Sequence, residues 1–448
     1  MAKMINCTGA PPTCDKALKC PFVSVYRTVM SDCSLRMLDG DCLHRIFSLL
    51  RPCGGLRPLS LTCKWIRSAC MIVLFDECSL MATRLRDAEG IPPTSLWPYI
   101  RRLKVMEQFA YYPAPTELDF PPETLYLTSP RVVATCHEEV LRTALCAMPR
   151  LDTIIILDSK NFGVPWVIFA TILSTPQLRV FEIRGRIHRA FDRLAEPPYQ
   201  SFAPLRAFRY VPDHIDTPVR IGPIEKRMLV ILLEQVSVTL ETLVLPSESV
   251  PLRLMSLWEW PNLRELRLRG DSRPIHRCRT PLVSVFGRMP RLHTLSLLLA
   301  HSKKSPLGPL WPAHSECKSL PWAELKSLTL SWIHPDDLIF AHLPPTLRHL
   351  SFRAWPRLFI MYYDAHRLWA ERVHWKLKAP KSAQISRILP LCPSANLERI
   401  ELEYVADSAE LELLRRIPDI APRLEWLQII RYRSAWDLSP VSVVRGVG

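Results

Sequence analysis

"PNLRELRLRG" (261–270) and "PRLHTLSLLL" (290–299) share one arrangement: a proline, then apolar residues at positions 1, 4 and 6 counted from the first leucine. Positions 4 and 6 are two apart, so in an extended chain their side chains fall on one face. Outward from this pair the arrangement recurs at Ile100-Leu103-Val105, Leu151-Ile154-Ile156, Leu178-Phe181-Ile183, Leu205-Phe208-Tyr210 and Leu240-Leu243-Leu245. On the other side it continues at Leu325-Leu328-Leu330, Leu347-Leu350-Phe352, Leu397-Ile400-Leu402 and Leu424-Leu427-Ile429. The eleven copies are spaced by 51, 27, 27, 35, 23, 29, 33, 22, 50 and 27 residues. Each gap near 50 has room for one more, degenerate copy. In seven copies a proline stands two residues ahead of position 1, at Pro98, Pro149, Pro176, Pro261, Pro290, Pro345 and Pro422.

Helical stretches precede many copies. "HEEVLRTALCAM" (137–148) places Val140, Leu141, Ala144, Leu145 and Met148 on one side, and "IEKRMLVILLEQV" (224–236) and "DDLIFAHL" (336–343) behave alike. Proline lacks an N–H and pushes the residue before it out of the helical region, so each unit reads as helix, proline, short strand. Units this small cannot bury an apolar face alone and must stack. Spacing and core resemble the leucine-rich repeat over roughly 96–430. The resemblance implies an irregular α/β solenoid with parallel strands on its concave face. The buried Asn or Cys of that family is absent, with Ser159, Arg186, Asp271 and Ala300 in its place. A plainer reading is a set of ordinary α/β strands with alternating leucines.

Ahead of the array, "LDGDCLHRIFSLL" (38–50) puts Leu43, Ile46, Phe47 and Leu50 at i, i+3, i+4, i+7, one face of a helix. "RPCGG" then breaks the chain, and Leu59, Cys63, Ile66 and Cys70 form a second face. About 45 residues is near the limit of what folds without metal or disulfide, so this segment is expected to lean on another surface. Leu38-Asp39-Gly40-Asp41-Cys42-Leu43-His44-Arg45-Ile46-Phe47 resembles the opening L-P-x-E-[IL]-L-x-x-I-F of the F-box, with Asp39 in the proline's place. Leu59-Ser60-Leu61-Thr62-Cys63-Lys64-Trp65 resembles its later L-S-x-[VT]-C-K-x-W, the tryptophan arriving one residue early. The resemblance implies a three-helix F-box that docks on a Skp-type adaptor, and through it a cullin scaffold, as substrate receptor of a ubiquitin ligase. Carried over residue by residue, Leu38, Leu43, Ile46, Leu59, Cys63 and Trp65 would line that contact, with Phe47 and Leu50 partly in the domain core. The alternatives are an N-terminal helical cap on the array, and a scaffold or nucleic-acid-associated protein without a ligase role.

Composition narrows the rest. The 448 residues carry 42 prolines but only 13 glycines, and no G-x-G-x-x-G or G-x-x-x-x-G-K-[ST] loop. The charge of +15 is spread thinly apart from "HWKLKAPK" (374–381), as on a solvated basic surface. The start lacks a signal-like apolar stretch, and no run is long enough to cross a bilayer. Fourteen cysteines without a C-x-x-C pair read as reduced thiols in cytosol or nucleus, with no metal expected. "HEEVL" lacks the second histidine of a zinc motif, there is no G-x-S-x-G, and neither catalysis nor a cofactor is expected.

The expected layout is a tail (1–34), an F-box (35–80), a linker (81–95), the solenoid (96–430) and a second tail (431–448). Residues between the apolar positions should project from the sheet: Glu182, Arg184, Arg209, Glu265, Arg267, Arg269, His349, Arg353, Arg399, Glu401 and Trp426. Arginine grips carboxylate or phosphate bidentately. Arg184, Arg209, Arg267, Arg269, Arg353 and Arg399 are therefore expected to hold an acidic or phosphorylated target, although solubility of an open sheet face explains them equally.

Overall fold

The computed structural model describes residues 35–81, 91–106, 130–159, 164, 166–185, 201–211, 222–278, 280–302, 308–356, 375–376, 379–392 and 395–432. The first expected tail, and all of the second except 431–432, lie outside these residues. The chain divides into two compact units, Met1–Leu74 and Phe75–Gly448.

The described part of the first unit is three helices: α1 (Gly40–Leu50), α2 (Leu56–Ser60) and α3 (Lys64–Leu74). Asp39 caps α1, its Oδ1 accepting the Cys42 N–H at 2.8 Å, and this bond holds its carboxyl below the usual range. A side-chain acceptor is what that position needs, which explains why an acid can stand there. Gly54 (φ 70°) makes the turn at "RPCGG" in a conformation other residues resist. The expected stripe Leu59-Cys63-Ile66-Cys70 is not one continuous face. The helix stops at Ser60, and Cys63 is exposed, its Sγ accepting the Ile66 N–H at 3.4 Å as a cap for α3. Phe47, Leu56, Cys70, Val73 and Leu43 form a small core of their own.

The second unit is built on parallel strands: β1 (Glu77–Met81), β2 (Arg102–Met106), β3 (Thr153–Ser159), β4 (Val180–Gly185), β5 (Ala207–Val211), β6 (Thr242–Pro246) and β7 (Glu265–Asp271). It continues through β8 (Thr294–Ser302), β9 (Ser327–Leu330), β10 (His349–Phe352), the short β11 (Trp375–Lys376), β12 (Arg399–Val405) and β13 (Trp426–Tyr432). Twelve of them pair in chain order, all parallel, while β11 pairs antiparallel with β8. β1 extends the sheet before the first copy, so the first unit ends at Leu74, short of residue 80.

Register follows the repeat without a slip at position 4. Leu103, Ile154, Phe181, Phe208, Leu243, Leu266, Leu295, Leu328, Leu350, Ile400 and Leu427 pair in a single row. Positions 1, 4 and 6 are buried in every copy but the last, where Leu427 stays 42% exposed. In both long gaps the flanking strands are neighbours in the sheet, with no strand of an extra copy between them: β2 pairs directly with β3, and β10 with β12. The first gap holds helix α4 (Pro130–Cys146), and α5 (Trp166–Leu173) and α6 (Pro223–Val236) follow in later copies. From β6 to β10, connectors as short as Leu252–Met255, Leu282–Val285 and the 3₁₀ turn Leu338–His342 replace full helices, which return at Ser382–Ile388 and Glu410–Ile420. Buried Trp260 and Trp322 fill the volume there, their indole N–H groups donating to Met255 O at 3.1 Å and Phe286 O at 3.0 Å.

The prolines build turns rather than stop helices. Helices α4 and α5 already end three residues before Pro149 and Pro176. Each proline takes the second place of a four-residue turn closed by the N–H of position 1, as in Leu151 to Met148 O (3.1 Å) and Leu347 to Pro344 O (3.0 Å). The ring presets φ for that place and gives up an N–H the turn does not use.

Serine and aspartate substitute for the missing asparagine ladder. Ser247 Oγ donates to Asp271 O at 2.7 Å, and Ser331 Oγ both donates to Leu299 O and accepts its N–H. Buried Asp337 accepts from the backbone of Leu310, Trp311 and Ile339, while burial pushes its carboxyl pKa up.

Candidate functional site

Positions 3, 5 and 7 of the strands face away from the core, and the six expected arginines all stand there. The structure gives each an intramolecular partner. Glu182 receives Arg184 at 2.6 Å from its own strand and Arg209 at 3.8 Å from the next, because Glu182 and Arg209 are register partners. Arg267 pairs with Glu265, and Arg353 lies 3.4 Å from Glu401. Arg269 and Arg399 stack on the rings of Trp355 and Trp426, at 3.7 and 4.5 Å. Aligning copies by position sets Glu182 opposite Arg209, but only the observed register makes them neighbours, and nothing in the repeat points to Trp355.

The pairs are uneven. Arg184, Arg209 and Arg267 side chains are 53%, 40% and 56% exposed, whereas Glu182 beneath two of them is 11% exposed. Carboxylates form the floor and guanidinium groups stand out from it.

The two halves of this face differ. Over β8 to β12 the outward residues Ser296, Thr329, Ser351, Glu401 and Glu403 are buried. The chain leaving β10 doubles back there: Trp355 packs on Ala300 and Leu298 of β8, and β11 pairs with His301 and Ser302 at the end of β8. Position 5 is small in this half, Ser296, Thr329 and Ser351 in successive strands. His349 sits in this half with Nδ1 at 3.2 Å from Ser327 Oγ and a buried Nε2 without a hydrogen bond among the described residues. Burial lowers its pKa, with Arg399 adding to the shift.

The expected docking residues of the first unit separate into three groups. Leu38 and Cys63 are exposed, and Ile46, Leu59 and Trp65 are half-buried against the unit's core. Leu43 is buried beside Phe47, because i and i+4 on α1 share the inner face; its side chain is not open to a partner. Leu49 and Leu61, 62% and 67% exposed, are further apolar surface that the motif did not point to. Leu49 lies off the 43-46-47-50 stripe, and that was the available signal.

Among the described residues no group of three histidine, cysteine or acidic side chains could hold a metal, and no helix is long and apolar enough to cross a membrane.

One strand per repeat, in-register parallel pairing and an unbroken core define an α/β leucine-rich-repeat solenoid, a fold suited to binding proteins. No protein-family model matches the chain, and no curated protein sequence does. Among solved structures it is similar to the crystal structure of a TLR13–ssRNA13 complex, at 13% identity and a TM-score of 0.30 over 79% of this chain. The chain spans about half of that one, 52%.

Proposed function

We propose that the protein is a substrate receptor of a cullin-based ubiquitin ligase, with the 35–74 unit as an F-box docking on a Skp-type adaptor and the solenoid holding the target. In this reading it performs no chemistry of its own. The supporting observation is that the three-helix unit has a separate core and still leaves Leu38, Leu49 and Leu61 exposed. Apolar side chains of this size each contribute about 1.5–3 kcal/mol when fully buried at an interface, so a few suffice for stable docking. The order of the two motif segments ahead of a leucine-rich array supports the same assignment.

A pull-down with recombinant Skp-type adaptor tests it, comparing the full chain with Leu38→Asp/Cys63→Asp. Aspartate at 63 keeps a cap for α3, so helical circular dichroism should not change. Wild type is expected to retain the adaptor and the variant to lose it. Absence of wild-type binding, or equal binding by both proteins, would return the chain to a leucine-rich scaffold with an N-terminal helical unit.

A further inference from the structure

We infer that the target segment lies only on the β3–β7 part of the open face, that it is an acidic protein segment carrying apolar side chains, and that Arg184 and Arg209 are its main grip. The inference rests on the solenoid being the target-binding part. Three observations lead to it.

First, the face is divided. The position 5 row over β8–β10 is small and buried, with Trp355 and β11 lying against β8, so a second chain has no floor to rest on there. Over β3–β7 the same row holds Ile155, Glu182, Arg209, Val244 and Arg267; among the described residues Trp355 reaches only the edge of this part, on Arg269 of β7.

Second, the charges are stacked by depth. Glu182 is nearly buried, accepts a hydrogen bond from Arg184 at 2.6 Å and lies 3.8 Å from the Arg209 guanidinium, which holds two partly exposed cations beside one another. A guanidinium has five donors, so one carboxylate does not use up two of them. Three charges sum to one positive at the surface, held in advance of binding, which reduces the ordering cost on association. An oxyanion group, carboxylate or phosphate, is what such a pair receives bidentately.

Third, the surroundings choose the class of ligand. Ile155, Val180 and Val244 are half-buried apolar positions flanking the arginines. They suit apolar side chains of a polypeptide. No aromatic residue occupies positions 3, 5 or 7 of β3 to β7, the Trp355 ring at the β7 edge is already stacked on Arg269, and Glu182 and Glu265 oppose a continuous phosphate backbone.

Fluorescence anisotropy on the full chain tests this with a labelled 15-residue peptide alternating glutamate and leucine, the same peptide with phosphoserine for glutamate, and a 15-nucleotide single strand. Binding of either peptide is expected, weakened about tenfold or more by Arg184→Gln/Arg209→Gln, since each charge-assisted contact is worth roughly a decade. Arg399→Gln, whose guanidinium lies on Trp426 outside the β3–β7 part of the face, should change it by less than about twofold. Preference for glutamate or phosphoserine tells which oxyanion is used. Failure of both peptides to bind, an equal loss with Arg399→Gln, or tighter binding of the oligonucleotide would overturn the inference. Adaptor pull-down with the same variants stays unchanged if only this inference fails, and is negative for wild type if the receptor reading fails.

Discussion

Glu248 is a residue whose burial is costly. It sits at the end of β6, 9% exposed, accepting the Asp271 N–H at 3.1 Å, and burial pushes its carboxyl up to about 7. The folded chain thus holds that proton more tightly than the unfolded chain, whose glutamate titrates near 4.5. Stability is full below the unfolded value and declines as pH rises through the folded one, by up to roughly 3 kcal/mol. Urea midpoints at pH 5 and pH 8 should therefore converge in Glu248→Gln and differ in wild type; parallel shifts in the two proteins would contradict the assignment. Neighbouring Gly270 has φ 137°, and a Cβ there would come within 2.2 Å of Glu248 Oε2. Gly270→Ala should lower stability by about 1–3 kcal/mol, read as a drop in thermal midpoint.

At the scale of the element, each repeat is a turn, a strand and whatever backs it. Position 2 is charged or histidine in all eleven copies, and in the first ten its carbonyl accepts two N–H groups from the next copy, as Arg101 O does from Asp152 and Thr153. Several of these side chains pair across copies, including Arg101 with Asp152 at 2.6 Å. Such exposed pairs add little stability; the leucines carry it. Leu292→Ala, at a fully buried position 1, should cost about 2–5 kcal/mol. Pro290→Ala in the same turn should cost less than about 1 kcal/mol, because only the preset φ is lost. Denaturant unfolding of the two variants checks the ranking, and a larger effect from the proline would assign the turn a greater role.

For the whole molecule the governing fact is two cores. Leu43, Phe47, Leu56, Cys70 and Val73 form one, and the strands and their backing helices form the other. Phe47→Ala should raise amide exchange throughout α1–α3 while β7–β9 keep their protection. Hydrogen-exchange mass spectrometry reads both regions at once, and loss of protection in both would mean the cores unfold together.

The repeat was legible because positions 1, 4 and 6 impose one periodicity on every strand, and apolar burial enforces it wherever copies stack. Asp39, the glycine break and the charged position 2 were likewise local signals, readable from the chain alone. What needed the tertiary structure was anything set by neighbours distant in sequence. Register joined Glu182 to Arg184 and Arg209, so six equivalent arginines became unequal ones. The return of the chain after β10 put Trp355 against Arg269, 86 residues away in sequence, and laid Trp355 and β11 along β8. Periodicity tells which side of a strand a residue is on; only packing decides what, if anything, lies over it.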